Sequence, residues 1–452
     1  MKSSTMVRGA LAALLATGLV AAGCSSSDSD DEGSGSSSSS AEVVDLANFP
    51  SGPPDNIDPA LTTELTGAQI TTELFDGLTE FAYPNGEGNG ELKGLVAEKW
   101  ESNADATEWT FTIKDGLEFS NGDPVLPSSF VAGWNRAADP ELAAGYGYLF
   151  DLIQGKAEWD AAAEAGDDSV TGMSGVTADD DAMTLTVKLD QPYADFAAVV
   201  SHIIFSPVPE QVVADLDDQS QWDRGLMIGN GPFQLDEPRT DQEIVLVPNE
   251  KWAGDVVGTT EVSLDKITFT ISKDLNSAFS AFQGGEGQTA TIPDGQYAIA
   301  LPGGEFENAN TLVPQLGSYH FVFGMQEGSP VAGPENLKLR QAISLAIDRE
   351  QINTAVYDGS RQTSTGITPP GIPGFTEDLC EYCDFDLDQA KDLYAEWEAE
   401  GGTLDGPLKI QFNADSGHED VVAIIQSNFQ ELGIETEQDA RSSETYFDEM
   451  SA

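Results

Sequence analysis

Apolar positions along this chain switch between a spacing of two and a spacing near 3.6, which marks a mixed α/β protein. Trp109-Thr110-Phe111-Thr112-Ile113 and Thr184 to Leu189 alternate and predict strands. Val43 to Phe49, Gly231-Pro232-Phe233, Glu243 to Val247, Lys266 to Ile271, Leu408-Ile410-Phe412 and Ile434 to Gln438 predict further strands. Helical spacing places Leu61, Leu65, Ala68 and Phe75 on one face within residues 61–78. It also predicts helices from Leu126 to Ala138, with Ser128 or Ser129 near the start, and from Leu275 to Phe282, ending at Gly284-Gly285. Asp195 to Phe205 reads as one buried helix. Leu339, Ile343, Ala346 and Ile347 share a helix face, as do Leu387, Ala390, Tyr394 and Trp397 before Gly401-Gly402. Val422, Ile425, Phe429 and Leu432 form a last one, closed by Gly433. Asn121-Gly122 marks a turn. No solenoid-type repeat is present.

The two ends of the chain depart from this pattern. Lys2 and Arg8 precede an apolar run, Ala10 to Ala22, that is too short to span a bilayer and reads as a secretory signal. It ends in Ala21-Ala22-Gly23-Cys24, which resembles a bacterial lipobox. The expectation is a signal peptide over residues 1–24 and a lipid on Cys24, with a palmitate-type anchor on the extracytoplasmic face of the cell membrane. The competing reading is an ordinary signal with a chance cysteine. Residues 25–40 are rich in Ser, Gly and Asp, cannot build a core, and predict a flexible tether. At the other end, Ser443-Glu444-Thr445 reads as a helix start, and Ala452 follows before any cap or returning strand, so the chain is expected to be cut short.

Length and charge narrow the class. At 452 residues the chain is long for one core, so two or three lobes are expected. Asp and Glu number 78 against 20 Lys and Arg, a formal charge of −58. A field of that sign repels nucleic acid and suits a salty exterior, where counterions screen self-repulsion. Recurring aromatic and β-branched residues argue against a disordered acidic chain.

Reactive constellations are scarce. Cys380-Glu381-Tyr382-Cys383 holds the only cysteine pair, and in an exported protein it predicts a small surface disulfide or a pair of thiols. A redox CxxC opens a helix after a strand, whereas this one follows Pro369-Pro370 and a loop. His202, His320 and His418 are far apart, and His418-Glu419 lacks zinc-protease spacing. No nucleophile elbow and no phosphate loop appear. Carboxylate pairs are so common that none is diagnostic. The expectation is a binding protein rather than an enzyme, with no cofactor and no metal.

The order of motifs resembles the family 5 extracellular solute-binding proteins, which serve peptide, dipeptide and nickel importers. The resemblance rests on Asn56-Ile57-Asp58-Pro59-Ala60, Leu74-Phe75-Asp76-Gly77-Leu78, Gly94 to Trp100 and Phe119-Ser120-Asn121-Gly122-Asp123-Pro124-Val125. It continues through Gly229-Asn230-Gly231-Pro232-Phe233, Pro248-Asn249-Glu250-Lys251-Trp252 and Leu339 to Arg349. It implies a type II periplasmic-binding-protein-like clamp of two α/β lobes with an inserted third lobe. The first clamp lobe would take residues 41–288, interrupted by the inserted lobe at about 86–172, and the second would take 289–452. The family domain would run from about 90 to 452.

The same resemblance implies a monomer that captures a peptide or similar small solute and delivers it to the permease subunits of an ABC importer. A secreted hydrolase or a ligand-sensing lipoprotein on the same scaffold is the alternative. Tyr297, Tyr319 and Phe323 lie near the inferred lobe crossing and are candidates for ligand contact, although base rates of burial favour core roles for all three. An acidic residue that often anchors a peptide amino terminus in this family falls beyond residue 452. Gly324-Met325 and Gly287-Gln288-Thr289 depart from the family pattern, which makes the pocket near the hinge atypical.

Overall fold

The computed structural model describes residues 42–46, 54–81, 91–211, 222, 225, 227–257, 262–272, 274–310, 317–372, 374–414, 417–442 and 446. Cys24, the signal segment, the tether and the expected helix start at 443–445 lie outside them. The first half carries β1 (Glu42–Leu46), α1 (Leu65–Leu74), β2 (Thr79–Phe81), β3 (Leu92–Gly94), β4 (Ala97–Ser102), β5 (Glu108–Ile113) and α2 (Pro127–Ala138). It continues with α3 (Lys156–Glu164), β6 (Val176–Asp179), β7 (Thr184–Lys188), α4 (Phe196–Val199), β8 (Phe233–Leu235), β9 (Glu243–Pro248), α5 (Gly254–Val257), β10 (Lys266–Thr270) and α6 (Leu275–Gln283). The second half carries α7 (Leu337–Ala346), α8 (Arg349–Tyr357), α9 (Leu387–Ala399), β11 (Leu408–Asn413), α10 (His418–Gln430) and β12 (Thr436–Arg441).

Alternation along β5 buries Trp109, Phe111 and Ile113 on one face of an antiparallel sheet ordered β4-β5-β7-β6. Helix α2 covers that face. Pro127 opens the helix, where a missing N–H costs nothing, and the Ser129 hydroxyl accepts from the Leu126 N–H at 3.2 Å. Its Phe130 and Trp134 pack with Phe150 and Phe205, and the Trp134 indole donates to the Phe205 carbonyl at 2.7 Å. Truncating any one of these rings to Ala would cost about 3–5 kcal/mol. Strands β6 and β7, which follow residue 172, pair in the same sheet as β4 and β5.

A second sheet, ordered β1-β10-β9-β8, pairs the early β1 in parallel with β10, so chain segments far apart in sequence close one unit. Three hydrophobic cores result. One joins residues from Ala60 to Phe205, one joins Ile57, Ile70 and Leu74 to Phe233 and Leu246, and the third runs from Val331 to Ile434. The third core draws no residue from the first two. Helix α6 packs on the segment that follows it, with Phe279 and Phe282 against Phe306 and Gln296 donating to Asn276 at 2.8 Å.

Local patterning went astray at two places. Residues 61–78 contain a shorter helix than expected, because Leu61 and Thr62 turn back onto the Asp58 carbonyl before α1 begins. Asp195 to Phe205 is only partly buried, through Phe196, Ala197, Val200, Ile204 and Phe205, and is not one helix. It is α4 followed by a 3-10 turn, Ile203–Phe205. His202 breaks the run with extended backbone and accepts the Ile204 N–H on its ring at 3.2 Å.

Candidate functional site

In the second half, Gly417 and the first residue of α10 create a polar cluster. Gly417 adopts φ 77°, and a Cβ there would sit 2.5 Å from the Asp294 carboxylate, so only glycine allows this approach. His418 is thereby set against Tyr319: the phenol oxygen and Nδ1 are 2.8 Å apart, with the rings stacked at 5.4 Å. Burial holds the imidazole below its usual pKa and the phenol above its own. With the imidazole neutral, a single proton bridges the phenol oxygen and Nδ1.

Asp294 links this pair to its neighbours. The Tyr297 hydroxyl donates to Asp294 at 2.7 Å, and burial followed by that carboxylate pushes the phenol to about 12. The Arg361 guanidinium stands 4.0 Å from Asp294 and lies 3.4 Å over the Tyr357 ring, a cation–π contact. Asn353 fixes the Arg361 backbone through two bonds of 2.7 and 3.1 Å. The Tyr297 proton is taken by Asp294 and the Tyr319 hydroxyl is paired with His418, so the cluster offers a ligand the half-exposed Arg361 cation, beside the Asp294 carboxylate, and the outer edge of the imidazole, groups suited to an anionic or carbonyl group.

In the first half, three of the motifs read from the sequence converge. Gly231 donates to the Leu74 carbonyl at 2.9 Å, and a side chain at Gly229 would collide with that carbonyl. Asn230 accepts from the Asp76 N–H at 3.1 Å and donates to the Asp76 carbonyl at 2.9 Å. Asn249 donates to the Gly231 carbonyl at 2.9 Å, and the Trp252 indole donates to the Asp76 carboxylate at 2.8 Å. These bonds build one wall of a cavity of about 460 Å³, lined also by Glu80, His202, Ser206 and Phe233. Burial, with Glu80 and Glu73 adding to it, raises Asp76 to about 7, against the bond from Trp252. Burial lowers His202, which keeps its imidazole neutral.

Of the three residues singled out from sequence, Tyr297 and Tyr319 share the Asp294–Arg361 cluster, whereas Phe323 is half-buried against the core of the second half. Sequence reading did not single out His418, Arg361, Asp294, Asp76 or His202 as site residues. His202 and His418, two of three histidines, and Asp76, inside the Leu74 to Leu78 motif, carried a local signal; Asp294 and Arg361 carried none. Cys380 and Cys383 form a disulfide with Cα atoms 5.4 Å apart. Among the described residues, no group of three or more His, Cys, Asp and Glu is placed to hold a metal ion, and no helix is long and apolar enough to cross a membrane.

Residues 91–452 match the family described as bacterial extracellular solute-binding proteins, family 5 middle. The chain is 27% identical over 408 residues to the oligopeptide-binding protein OppA of Bacillus subtilis (strain 168), which covers 88% of this chain and 71% of that protein. It is 28% identical over 426 residues to the periplasmic murein peptide-binding protein MppA of Escherichia coli (strain K12), covering 90% of this chain and 73% of that one. The solved structure of the E. coli murein tripeptide binding protein MppA superposes with a TM-score of 0.72 at 25% identity, over 91% of this chain and 76% of its own.

Proposed function

The chain belongs to the family 5 bacterial extracellular solute-binding proteins, and from that membership we propose that it captures peptides outside the cytoplasm and delivers them to the permease of an ABC importer. Its fold is the mixed α/β, type II periplasmic-binding-protein fold. A protein of this kind needs no reactive side chain. It needs two halves that close on a solute, with contacts from both supplying the bias toward the closed state.

The carrying observation is the cluster of Tyr319, His418, Arg361 and Tyr297. The Arg361 guanidinium and the His418 imidazole match what every peptide presents whatever its sequence: carbonyl oxygens and a terminal carboxylate. These two are the groups assigned to the carboxylate, with Tyr297 and Tyr319 beside the chain and Phe323 packing behind. A generic grip of this sort leaves side-chain pockets free to be wet, since water-bridged contacts cost little. The lipid on Cys24 would hold the protein beside its permease.

Calorimetric titration with defined tripeptides tests the reading. Saturable binding is expected, and it should weaken when the peptide carboxylate is amidated. Absence of binding by any tripeptide would refute peptide capture.

A further inference from the structure

The cavity beside Asp76 has an uneven chemistry. Its lining includes the carboxylates of Asp76 and Glu80 and several hydroxyls, such as Thr79, Ser201 and Ser263, and among the described residues it includes no Lys or Arg. Glu80 meets Lys93 at 3.0 Å, an exposed pair that solvent screens. Asp76 is different. It is 6% exposed, and its carboxylate takes a neutral indole N–H from Trp252. The nearby Lys114 ammonium donates to the Leu95 carbonyl at 2.7 Å. Lys114 acts on Asp76 through space, but burial outweighs it, so a carboxylate buried against the cavity wall with a neutral hydrogen-bond donor is costly as an anion. A cation entering the cavity would remove that cost, and the aromatic faces of Phe75 and Trp252 would flank its alkyl stem or its charge.

We propose that this cavity is a charge-selective subsite that receives the ammonium or guanidinium group of a bound peptide, with Asp76 as its counter-ion. The proposal rests on the peptide-capture reading and adds a preference for basic cargo. His202, in the same lining and held neutral by burial, presents no repulsion to the incoming cation. The hydroxyls supply acceptors for the remaining N–H groups of an ammonium.

The test uses the purified chain and tripeptides of alanine with one lysine at the first, second or third position, each paired with its norleucine counterpart. Norleucine keeps the alkyl stem and removes the charge. Titration calorimetry should show lysine favoured by about 10- to 100-fold at one position or more. That preference should disappear in Asp76→Asn, whose amide oxygen still accepts from Trp252. Should that variant fail to fold by circular dichroism, the lysine–norleucine comparison in the unaltered protein still decides. Equal affinities at all three positions, with binding otherwise intact, overturn the subsite while leaving peptide capture standing. No binding by any member refutes peptide capture and the subsite with it.

Discussion

The Tyr319 hydroxyl and the His418 imidazole lie 99 positions apart in sequence and 2.8 Å apart in space. The pair exists because Gly417 lets the start of α10 approach Asp294, and because burial keeps phenol and imidazole in complementary protonation states. Replacing His418 by Ala should weaken tripeptide binding about tenfold, through loss of a hydrogen bond to a charged group. Tyr319→Phe should cost less binding and little stability, since the side chain is half exposed. Titration calorimetry measures both, and unchanged affinity in His418→Ala would remove this cluster from the ligand site.

Gly229→Ala should destabilise the fold by about 2–4 kcal/mol, because its Cβ meets the Leu74 carbonyl and has no flexible neighbour to push aside. Urea unfolding would register this as a lower midpoint at constant slope. Gly166→Ala, at an open position with φ 70°, should cost only about 1 kcal/mol.

The Asp58–Arg136 pair ties the opening segment to α2 through two bonds of 2.8 and 2.5 Å, with the guanidinium 5.2 Å over the Trp222 ring. Both side chains are nearly inaccessible to solvent. Asp58→Ala should cost about 3–5 kcal/mol, because it removes the carboxylate that balances a buried cation. Asp58→Ala with Arg136→Met should recover part of that loss. A double variant no more stable than the single one would assign the cost to packing instead.

Asp76 gives stability a pH dependence whose sign is fixed. The unfolded carboxyl loses its proton near 3.8 and the folded one near 7. Between those values the folded state holds the extra proton, so stability falls as pH rises from about 4 to about 7 and is flat above. The penalty reaches up to about 4 kcal/mol above pH 7. Asp76→Asn should therefore melt higher than the parent at pH 8 and close to it at pH 4. Scanning calorimetry at the two pH values checks this, and a gain of equal size at both would sink the assignment. Glu73, Glu80 and Lys114 also face this carboxyl, so the comparison requires the variant rather than the parent alone.

Cys24→Ala should move the protein from the membrane fraction to the soluble extracytoplasmic fraction. Retention in the membrane would dismiss the lipid anchor.

What could be read directly was whatever a dozen neighbouring residues decide. Strand β5 and helix α2 were legible because alternation and a proline at the first helical turn act locally. The Gly229-Asn230-Gly231 and Pro248 to Trp252 motifs were visible as motifs, but their task of bracing the Leu74–Asp76 corner was not. Asp195 to Phe205 misled because its apolar run looks helical until one backbone bond, at His202, is satisfied by a side chain.

The sequence by itself determined the alternation of elements, the composition of the cores and the family resemblance, since these follow from periodicity and ordered motifs. Only the tertiary structure decided that Tyr297 and Tyr319 join Asp294 and Arg361, that His418 completes the set, and that Asp76 faces a cavity. Those juxtapositions depend on loop closures across tens to hundreds of residues and on the burial that follows, and neither has a local signature in the chain.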